Sequence, residues 1–384
     1  MGNQAIAVPN FQNAPATAGS VVVPNYAAFM AKTQEKTYRL GAFVPQPANP
    51  YAETMQGIRL PKTGIMKKNL MWCTATFTVA VGTGAVVVKD WMPHNIVKRL
   101  QFKGNGADIH SVSGASLHAR AQRRNDKAPL TGVDSYGGVV PGASLPNATY
   151  TCKFMIEVPL CYSYENGIGA VFAESAGAQY EIVPTIASKS DMFTLTGTAD
   201  VPTFTFKVEP VHSYWTIPTD NVNGQQVTYV PDLSRLFELQ EVTIPITSTG
   251  LVPLSLNQAN GNCMVASVAW RNNNANVDIA NGGLDSVGWN YAGNETPRLY
   301  APTEALLFEN AMAYNGRLPF NYFALDFEKE NPVRDAIRPR GVTDLNVQLG
   351  VPAGTALTAS TAILVQELLI AAGNGPAVEV TSAG

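Results

Sequence analysis

The sequence predicts an all-β protein of two consecutive eight-stranded β-jelly rolls, with few short helices, an N-terminal arm and a C-terminal tail. Apolar and polar residues alternate with a period of two along many segments, which is typical of half-buried antiparallel strands. Few segments have the period of a helix, and many strands with few helices indicate sandwiches or barrels. The 384 residues leave room for two rolls of about 150 residues each.

The first half of the chain contains the clearest alternation. Along residues 71–81 apolar side chains occupy every second position, with Thr74, Thr76 and Thr78 between them. Residues 150–158 and 203–208 alternate in the same way. These segments predict the strands of one β domain, with the following glycine-rich and proline-rich segments as turns.

The second half resumes the strand pattern after a proline-punctuated linker. Its predicted strands are residues 242–246, 263–270, 345–351 and 363–370. Residues 272–293 are rich in Asn and Gly, and we interpret them as a long loop.

Three short helices are predicted. The first follows Asn25, and the second follows Asp232, because both residue types cap helix N-termini. The second would carry Leu233, Leu236 and Phe237 on one side. The third runs from about residue 303 to 314, directly after a proline.

The pattern gives four divisions of the chain: an arm over residues 1–60, a first jelly roll over 61–212, a linker and second jelly roll over 213–372, and a tail over 373–384. Prolines punctuate the arm, with Ala, Asn and Gln between them. We expect such an arm to be disordered or to lie against a neighbouring molecule.

Composition favours a protein that is part of an assembly. Only 14% of the residues are charged, and interface cores are depleted in charge. The net charge of −3 does not favour binding to nucleic acid, and no such partner is predicted. The longest apolar run, residues 362–372, is too short to cross a bilayer. The first six residues lack the basic start and apolar core of a secretion signal.

The residue types that carry chemistry are not arranged as a site, so we predict no catalytic residue, no metal ligand and no cofactor. The four histidines do not have metal-ligand spacing: His94, His110, His118 and His212. His110 and His118 could approach each other, but a metal site needs three or four ligands. The four cysteines are interpreted as small buried hydrophobes in a reducing compartment: Cys73, Cys152, Cys161 and Cys263. Residues 104–106 predict a hairpin turn, and residues 113–116 an ordinary turn.

Two charged groups leave alternatives open. The acidic group of Asp326, Glu328 and Glu330 suits a solvated or interface ion network, with a site that hydrolyses glycosides or binds Ca²⁺ as the alternatives. The basic group would share one side of a short helix and consists of Arg120, Arg123, Arg124 and Lys127. We expect it to meet a neighbouring subunit's carboxylates, with an exposed face or contact with lipid or nucleic acid as the alternatives.

Several short segments in a shared order resemble the major capsid proteins of tectiviruses of the PRD1 type. They are T-G-I-M-K-K-N-L-M-W at 63–72, D-W-M-P-H-N-I-V-K-R-L-Q-F at 90–102, V-P-L-C-Y-S at 158–163, G-A-V at 169–171, S-Y at 213–214 and P-D-L-S-R-L-F-E-L at 231–239. The loops at 130–146 and 271–300 do not match that family.

The resemblance implies a bacteriophage coat protein with no enzymatic activity. It implies homotrimers with a pseudo-hexagonal outline that tile an icosahedral virion over an internal lipid membrane, with the N-terminal arm towards that membrane. The implied partners are further copies of the chain, vertex or penton proteins and minor capsid proteins, with assembly in the host cytoplasm. A glycan-acting double jelly-roll hydrolase and a secreted adhesin or lectin are the alternative functions.

Overall fold

The computed structural model describes most of the chain, and it consists mainly of strands. The described residues are 20–24, 26–44, 48–124, 136–174, 178–256, 261–272, 275–276, 283–291, 295–314, 318, 321–327 and 346–371. Among them, no helix is both long enough and apolar enough to pass through a bilayer.

The elements follow one another in two long series. The first series is β1 (Ser20–Pro24), α1 (Tyr26–Lys32), β2 (Glu35–Arg39), β3 (Ile58–Arg59), β4 (Ile65–Ala80), β5 (Val86–Val88), a 3-10 turn (His94–Ile96), β6 (Val97–Gly104), β7 (Ala107–Val112), α2 (Gly114–Arg124), β8 (Ser144–Leu145), β9 (Thr149–Pro159), β10 (Val171–Phe172), β11 (Tyr180–Ile186), α3 (Lys189–Met192), β12 (Phe193–Leu195) and β13 (Asp200–Trp215). The second series is β14 (Thr219–Val222), β15 (Gln225–Val230), β16 (Arg235–Pro245), β17 (Gly250–Ser255), β18 (Gly261–Asn272), β19 (Ala275–Asn276), β20 (Ser286–Tyr291), β21 (Glu295–Tyr300), α4 (Glu304–Ala313), β22 (Tyr322–Asp326), β23 (Asn346–Val351) and β24 (Thr361–Ala371).

Each series builds a sandwich of two four-stranded sheets. In the first sandwich one sheet has the order β2, β13, β4, β9 and the other has the order β3, β11, β6, β7. In the second, the corresponding orders are β16, β24, β18, β22 and β17, β23, β20, β21. Both are eight-stranded jelly rolls, and the fold class predicted from the sequence is confirmed.

The two rolls repeat each other strand for strand. The chain visits β2, β3, β4, β6, β7, β9, β11 and β13 in the same spatial order as β16, β17, β18, β20, β21, β22, β23 and β24. A helix follows the fifth strand in both, α2 in the first roll and α4 in the second. The sequence shows no residue-level repeat, so the repeat is one of topology.

Period-two alternation explains the two cores. Inward residues of β4, such as Cys73 and Phe77, are fully buried, whereas the threonines between them are half-buried on the outer face. Trp270 and Leu364 are the corresponding buried inward residues of the second roll. Burial of such side chains contributes about 1.5–3 kcal/mol each.

The N-terminal segment packs on its own chain in part. The expectation that residues 1–60 form an arm that is disordered or lies against a neighbouring molecule is wrong for two strands. β2 pairs with β13 and β3 pairs with β11, so both belong to the first roll. Further back, Phe29 of α1 is fully buried and meets the Trp215 ring edge-on at 6.3 Å. The five side chains of β2 are all exposed, so its sequence shows no alternation of apolar and polar residues.

Two further expectations are wrong, and two are confirmed. Residues 235–245 form β16 instead of a helix. Asp232 accepts the Ser234 N–H, which turns the chain, and the strand that follows pairs with β24 on one side and β7 on the other. The expected loop at 272–293 contains β19 and the whole of β20. The helices expected near residue 26 and residue 303 are present as α1 and α4.

Candidate functional site: the junction between the two jelly rolls

A parallel strand pair joins the two rolls into one continuous sheet. β7 of the first roll pairs with β16 of the second through His110 with Leu239 and Ser111 with Gln240. The resulting sheet runs from β3 in the first roll to β18 in the second. The rolls therefore meet through backbone hydrogen bonds as well as through side chains.

His110 lies at this strand pair and bonds to both sides of it. Its Nε2 lies 2.8 Å from the Pro159 carbonyl oxygen, and its Nδ1 accepts the Leu239 N–H at 3.1 Å. The imidazole is therefore neutral, with its proton on Nε2. Burial lowers the pKa of His110 to about 4, which agrees with that assignment.

The variant His110→Phe is expected to lower the free energy of unfolding by about 2–3 kcal/mol at pH 7.5, because a buried N–H and a buried carbonyl lose their partner. His212→Phe is the matched control, since His212 is also fully buried but neither of its ring nitrogens has a hydrogen-bond partner in the structure. Urea unfolding of both variants measures the difference. Equal losses in the two variants would show that the bonds of His110 do not stabilise the junction.

A buried ion cluster ties helix α2 to the second roll. Arg120 Nε donates to Glu367 Oε2 at 3.1 Å, and Arg124 Nη2 donates to the same oxygen at 3.4 Å. Arg123 pairs with the other Glu367 oxygen and lies 3.7 Å from Asp326. Glu367 is on β24 and only 1% exposed, so one carboxylate pairs with two buried guanidinium groups and with the partly exposed one of Arg124.

Aromatic rings complete the surroundings of the arginines. Arg120 lies 5.1 Å from the ring centre of Phe237, Arg123 5.8 Å from that of Tyr314, and Arg124 4.2 Å from that of Tyr162. A guanidinium over an aromatic face is attracted by the ring quadrupole, most strongly where water is excluded. The rings therefore help to compensate the cost of burying the arginines.

A second tie lies at the start of α2. The Ser113 hydroxyl and N–H both donate to Glu241 Oε2, at 2.8 and 2.9 Å, and the Ser116 N–H donates to Ser113 Oγ. Glu241 is on β16, so a carboxylate of the second roll lies at the N-terminal end of a first-roll helix, where the helix dipole favours negative charge. The sequence predicted a turn at residues 113–116, and that is wrong, since α2 begins there.

Gly169 lets the two rolls approach closely. Its carbonyl oxygen accepts the Phe237 N–H at 3.0 Å, and its φ of +74° is in the left-handed region. A Cβ at this position would lie 2.8 Å from the Phe237 Cβ. Any residue other than glycine would therefore push β16 away from the first roll.

The basic group of the sequence is thus a contact within the chain. Arg120 and Arg123 are buried against the second roll, so the expectation that they meet a neighbouring subunit is wrong. Lys127 lies outside the described residues. The sequence alone did not single out Glu367, the partner of these arginines. An acid within the apolar run 362–372 could have indicated it, because a buried acid needs a partner.

The acidic group does not assemble a hydrolytic pair among the described residues. Asp326 accepts the Tyr314 hydroxyl at 2.8 Å and faces Arg123, which makes it part of the ion cluster. Glu328 and Glu330 lie outside the described residues.

The histidines and cysteines are arranged as packing groups. His118 stacks on His94, with ring centres 3.6 Å apart, and not on His110 as the sequence suggested. All four cysteines are buried free thiols, and burial raises the pKa of Cys152, Cys161 and Cys263 to about 12. Within the described residues no three His, Cys, Asp or Glu side chains are grouped as metal ligands. The expected hairpin turn is present at Asn105 and Gly106, which both have positive φ.

Known proteins share this architecture. Residues 39–206 match the family model of the P3 major capsid protein N-terminal domain. The STIV MCP superposes with a TM-score of 0.63 at 12% identity, over 88% of this chain and 97% of that one. The major capsid protein P2 from bacteriophage PM2 superposes with a TM-score of 0.52 at 11% identity, over 89% of this chain and 100% of that one. No curated protein sequence matches the chain.

Fold and family together define the class, which is that of double jelly-roll viral major capsid proteins. The family match covers the first jelly roll, residues 39–206, and the shared fold covers both rolls. The family match and the shared fold support a structural role in the shell of an icosahedral virus, where copies of a coat protein contact one another.

Proposed function

We propose that this capsid protein forms cyclic homotrimers with a pseudo-hexagonal outline, and that these trimers tile the shell over an internal lipid membrane. The observation that carries the proposal is the internal repeat of two rolls joined side by side by β7 and β16. Three such chains around one axis give six similar rolls in a ring, and closed cyclic symmetry is the usual arrangement of homo-oligomers. The low charged fraction of 14% suits large contacts between chains.

The finer partners belong to the same proposal. The first residues of the N-terminal arm would face the membrane, and vertex, penton and minor capsid proteins would meet the trimer at its outer contacts. Assembly in the host cytoplasm is supported by the four buried free thiols, since reducing compartments keep thiols unpaired. We place the first roll between β2 and β13 and the second between β16 and β24.

Light scattering on the purified protein is expected to give the mass of three chains, and electron microscopy to give particles or hexagonal sheets. A variant lacking residues 1–19 is expected to remain a trimer but to assemble shells poorly, because the paired strands begin at residue 20. Deleting residues 1–50 would instead remove β2 and the buried Phe29. A strictly monomeric protein that hydrolyses a glycan would contradict the proposal.

A further inference from the structure

Helix α2 is held differently on its two sides. One side carries the arginines that pair with Glu367 of the second roll. The other side faces the first roll, where the ring of His118 stacks on that of His94 with the ring planes inclined by only 19°. His94 and His118 are 3% and 9% exposed. The two rings, which we name the histidine stack, therefore form a buried contact between α2 and the 3-10 turn before β6.

The hydrogen bonds of the histidine stack are those of neutral rings. Gln122 Nε2 lies 2.9 Å from His118 Nε2. Because an amide nitrogen can only donate, this ring nitrogen accepts and carries no proton. The Met155 carbonyl accepts from His94. Burial lowers the pKa of His118 to about 4, and burial together with His118 lowers that of His94 well below its usual value.

Aromatic groups and a thiol surround the histidine stack. Phe154 of β9 and Tyr136 meet the His94 ring edge-on, with ring centres 5.3 and 6.4 Å away. The titratable groups on this side are the Tyr136 phenol and the Cys152 thiol, which donates to the Tyr136 carbonyl oxygen at 3.3 Å. Phenols and thiols are uncharged at neutral and acidic pH, so neither can balance a positive charge on the two rings.

The charged side chains of the adjacent elements have partners of their own. These elements are α2 itself, α3, β6, β9 and the residues before the 3-10 turn. The pairs are Arg120, Arg123 and Arg124 with Glu367, Lys98 with Asp191, Lys189 with Asp200, Arg99 with Asp108, Lys68 with Glu157, and Asp90 with Arg271. Lys153 of β9 is exposed. These carboxylates are therefore engaged by other cations.

A positive charge on either ring is unfavourable while α2 is in place. Two imidazolium rings with centres 3.6 Å apart would repel each other, and a single one would lie in an apolar site away from water. When α2 leaves the first roll, both rings reach water and take up protons near pH 6.5. Acid therefore favours the state in which α2 has left.

We propose that the histidine stack is an acid-sensitive switch that holds α2 on the first roll at neutral pH and releases it as the pH falls below about 6.5. Because α2 also carries the arginines that bind Glu367, its release loosens the contact between the two rolls. The protein thus weakens in acid through one defined helix before its two sandwiches unfold. The switch lies within one chain and does not depend on the proposed trimer.

The size of the effect follows from the two histidines. Between pH 7.5 and pH 5, proton uptake favours the released state about 30-fold for each histidine and about 900-fold for both. The helix has eleven residues, and an isolated helix of that length is marginal in water. Released α2 therefore loses its backbone hydrogen bonds, and its amide hydrogens exchange with solvent.

Hydrogen exchange of the wild type at pH 7.5 and pH 5, corrected for the intrinsic effect of pH on exchange, tests the switch. Protection of residues 115–124 is expected to fall about 900-fold, while α2 stays less protected than β4 at both pH values. His94→Phe and His118→Phe each keep a ring in the stack but remove one titrating group. Each is expected to reduce the fall to about 30-fold, and the double variant to remove it.

His212→Phe is the matched control, because His212 is fully buried in the same roll with its pKa also lowered to about 4 by burial. It is expected to leave the fall in α2 unchanged. If α2 opened only when the whole chain unfolds, His212→Phe would reduce the fall as much as His118→Phe does.

Three results would overturn the inference: no fall in the wild type, a fall that persists in the double variant, or a fall that His212→Phe reduces as much as His118→Phe. If the double variant does not fold at pH 7.5, the single variants decide by the same comparison with His212→Phe. The number of chains in the assembly is measured separately, so these results leave the proposed function standing.

Discussion

Replacing Glu367 with glutamine is expected to lower the free energy of unfolding by about 3–5 kcal/mol, because removing one partner of a buried ion cluster leaves uncompensated charge. Glu367 holds Arg120, Arg123 and Arg124, and it is 1% exposed. Glutamine keeps the size of the side chain but removes its charge. The loss should fall on the contact between the rolls, where no water replaces the carboxylate.

Urea unfolding at one fixed protein concentration measures this loss, since oligomers gain stability with concentration. Glu35→Gln is the matched control: Glu35 pairs with Lys67 but its side chain is 42% exposed, so the change should cost less than about 1 kcal/mol. If Glu367→Gln cost no more than Glu35→Gln, the buried cluster would not be what holds α2 on the second roll.

Acidification is expected to destabilise the protein strongly between pH 6.5 and about pH 4. Burial lowers the pKa of His110, His118 and His212 to about 4, and burial together with the nearby His118 lowers that of His94 well below its usual value. Below pH 6.5 the unfolded chain takes up protons that the folded chain does not accept. Stability is therefore complete above pH 6.5 and is lost as the pH falls towards 4.

The expected loss from pH 7.5 to pH 5 is about 2 kcal/mol for each such histidine. Urea unfolding at the two pH values measures the total, and His212→Phe should reduce it by the share of one histidine. A wild-type free energy of unfolding that is the same at both pH values would contradict the assignment of neutral buried histidines.

The fold was predictable where the alternation was strong. β4, β9 and β13 each bury one side in a core, so every second residue is apolar and the period of two is visible. β2 was not predictable in this way, because all its side chains are exposed and only backbone pairing with β13 places it. The helix expected after Asp232 failed because Leu236 and Phe237 pack against the first roll, a contact that local spacing does not reveal.

Only one side of the junction between the rolls could be predicted from the sequence. The arginines of α2 stood out as a basic group, but their partner lies 247 residues from Arg120 along the chain, and no local pattern links the two. The resemblance to tectivirus coat proteins gave the class, which the family match over residues 39–206 confirms. The difference in cover between α2 and α4 could not be predicted from the sequence, because α2 is the more polar helix and yet the more buried one.

Electron microscopy of single purified particles tests the central claim most directly, because it shows both the copy number and the arrangement of the rolls. The repeat of two rolls predicts a ring with three-fold symmetry and six similar lobes. A monomer, or a ring with another number of lobes, would contradict the claim.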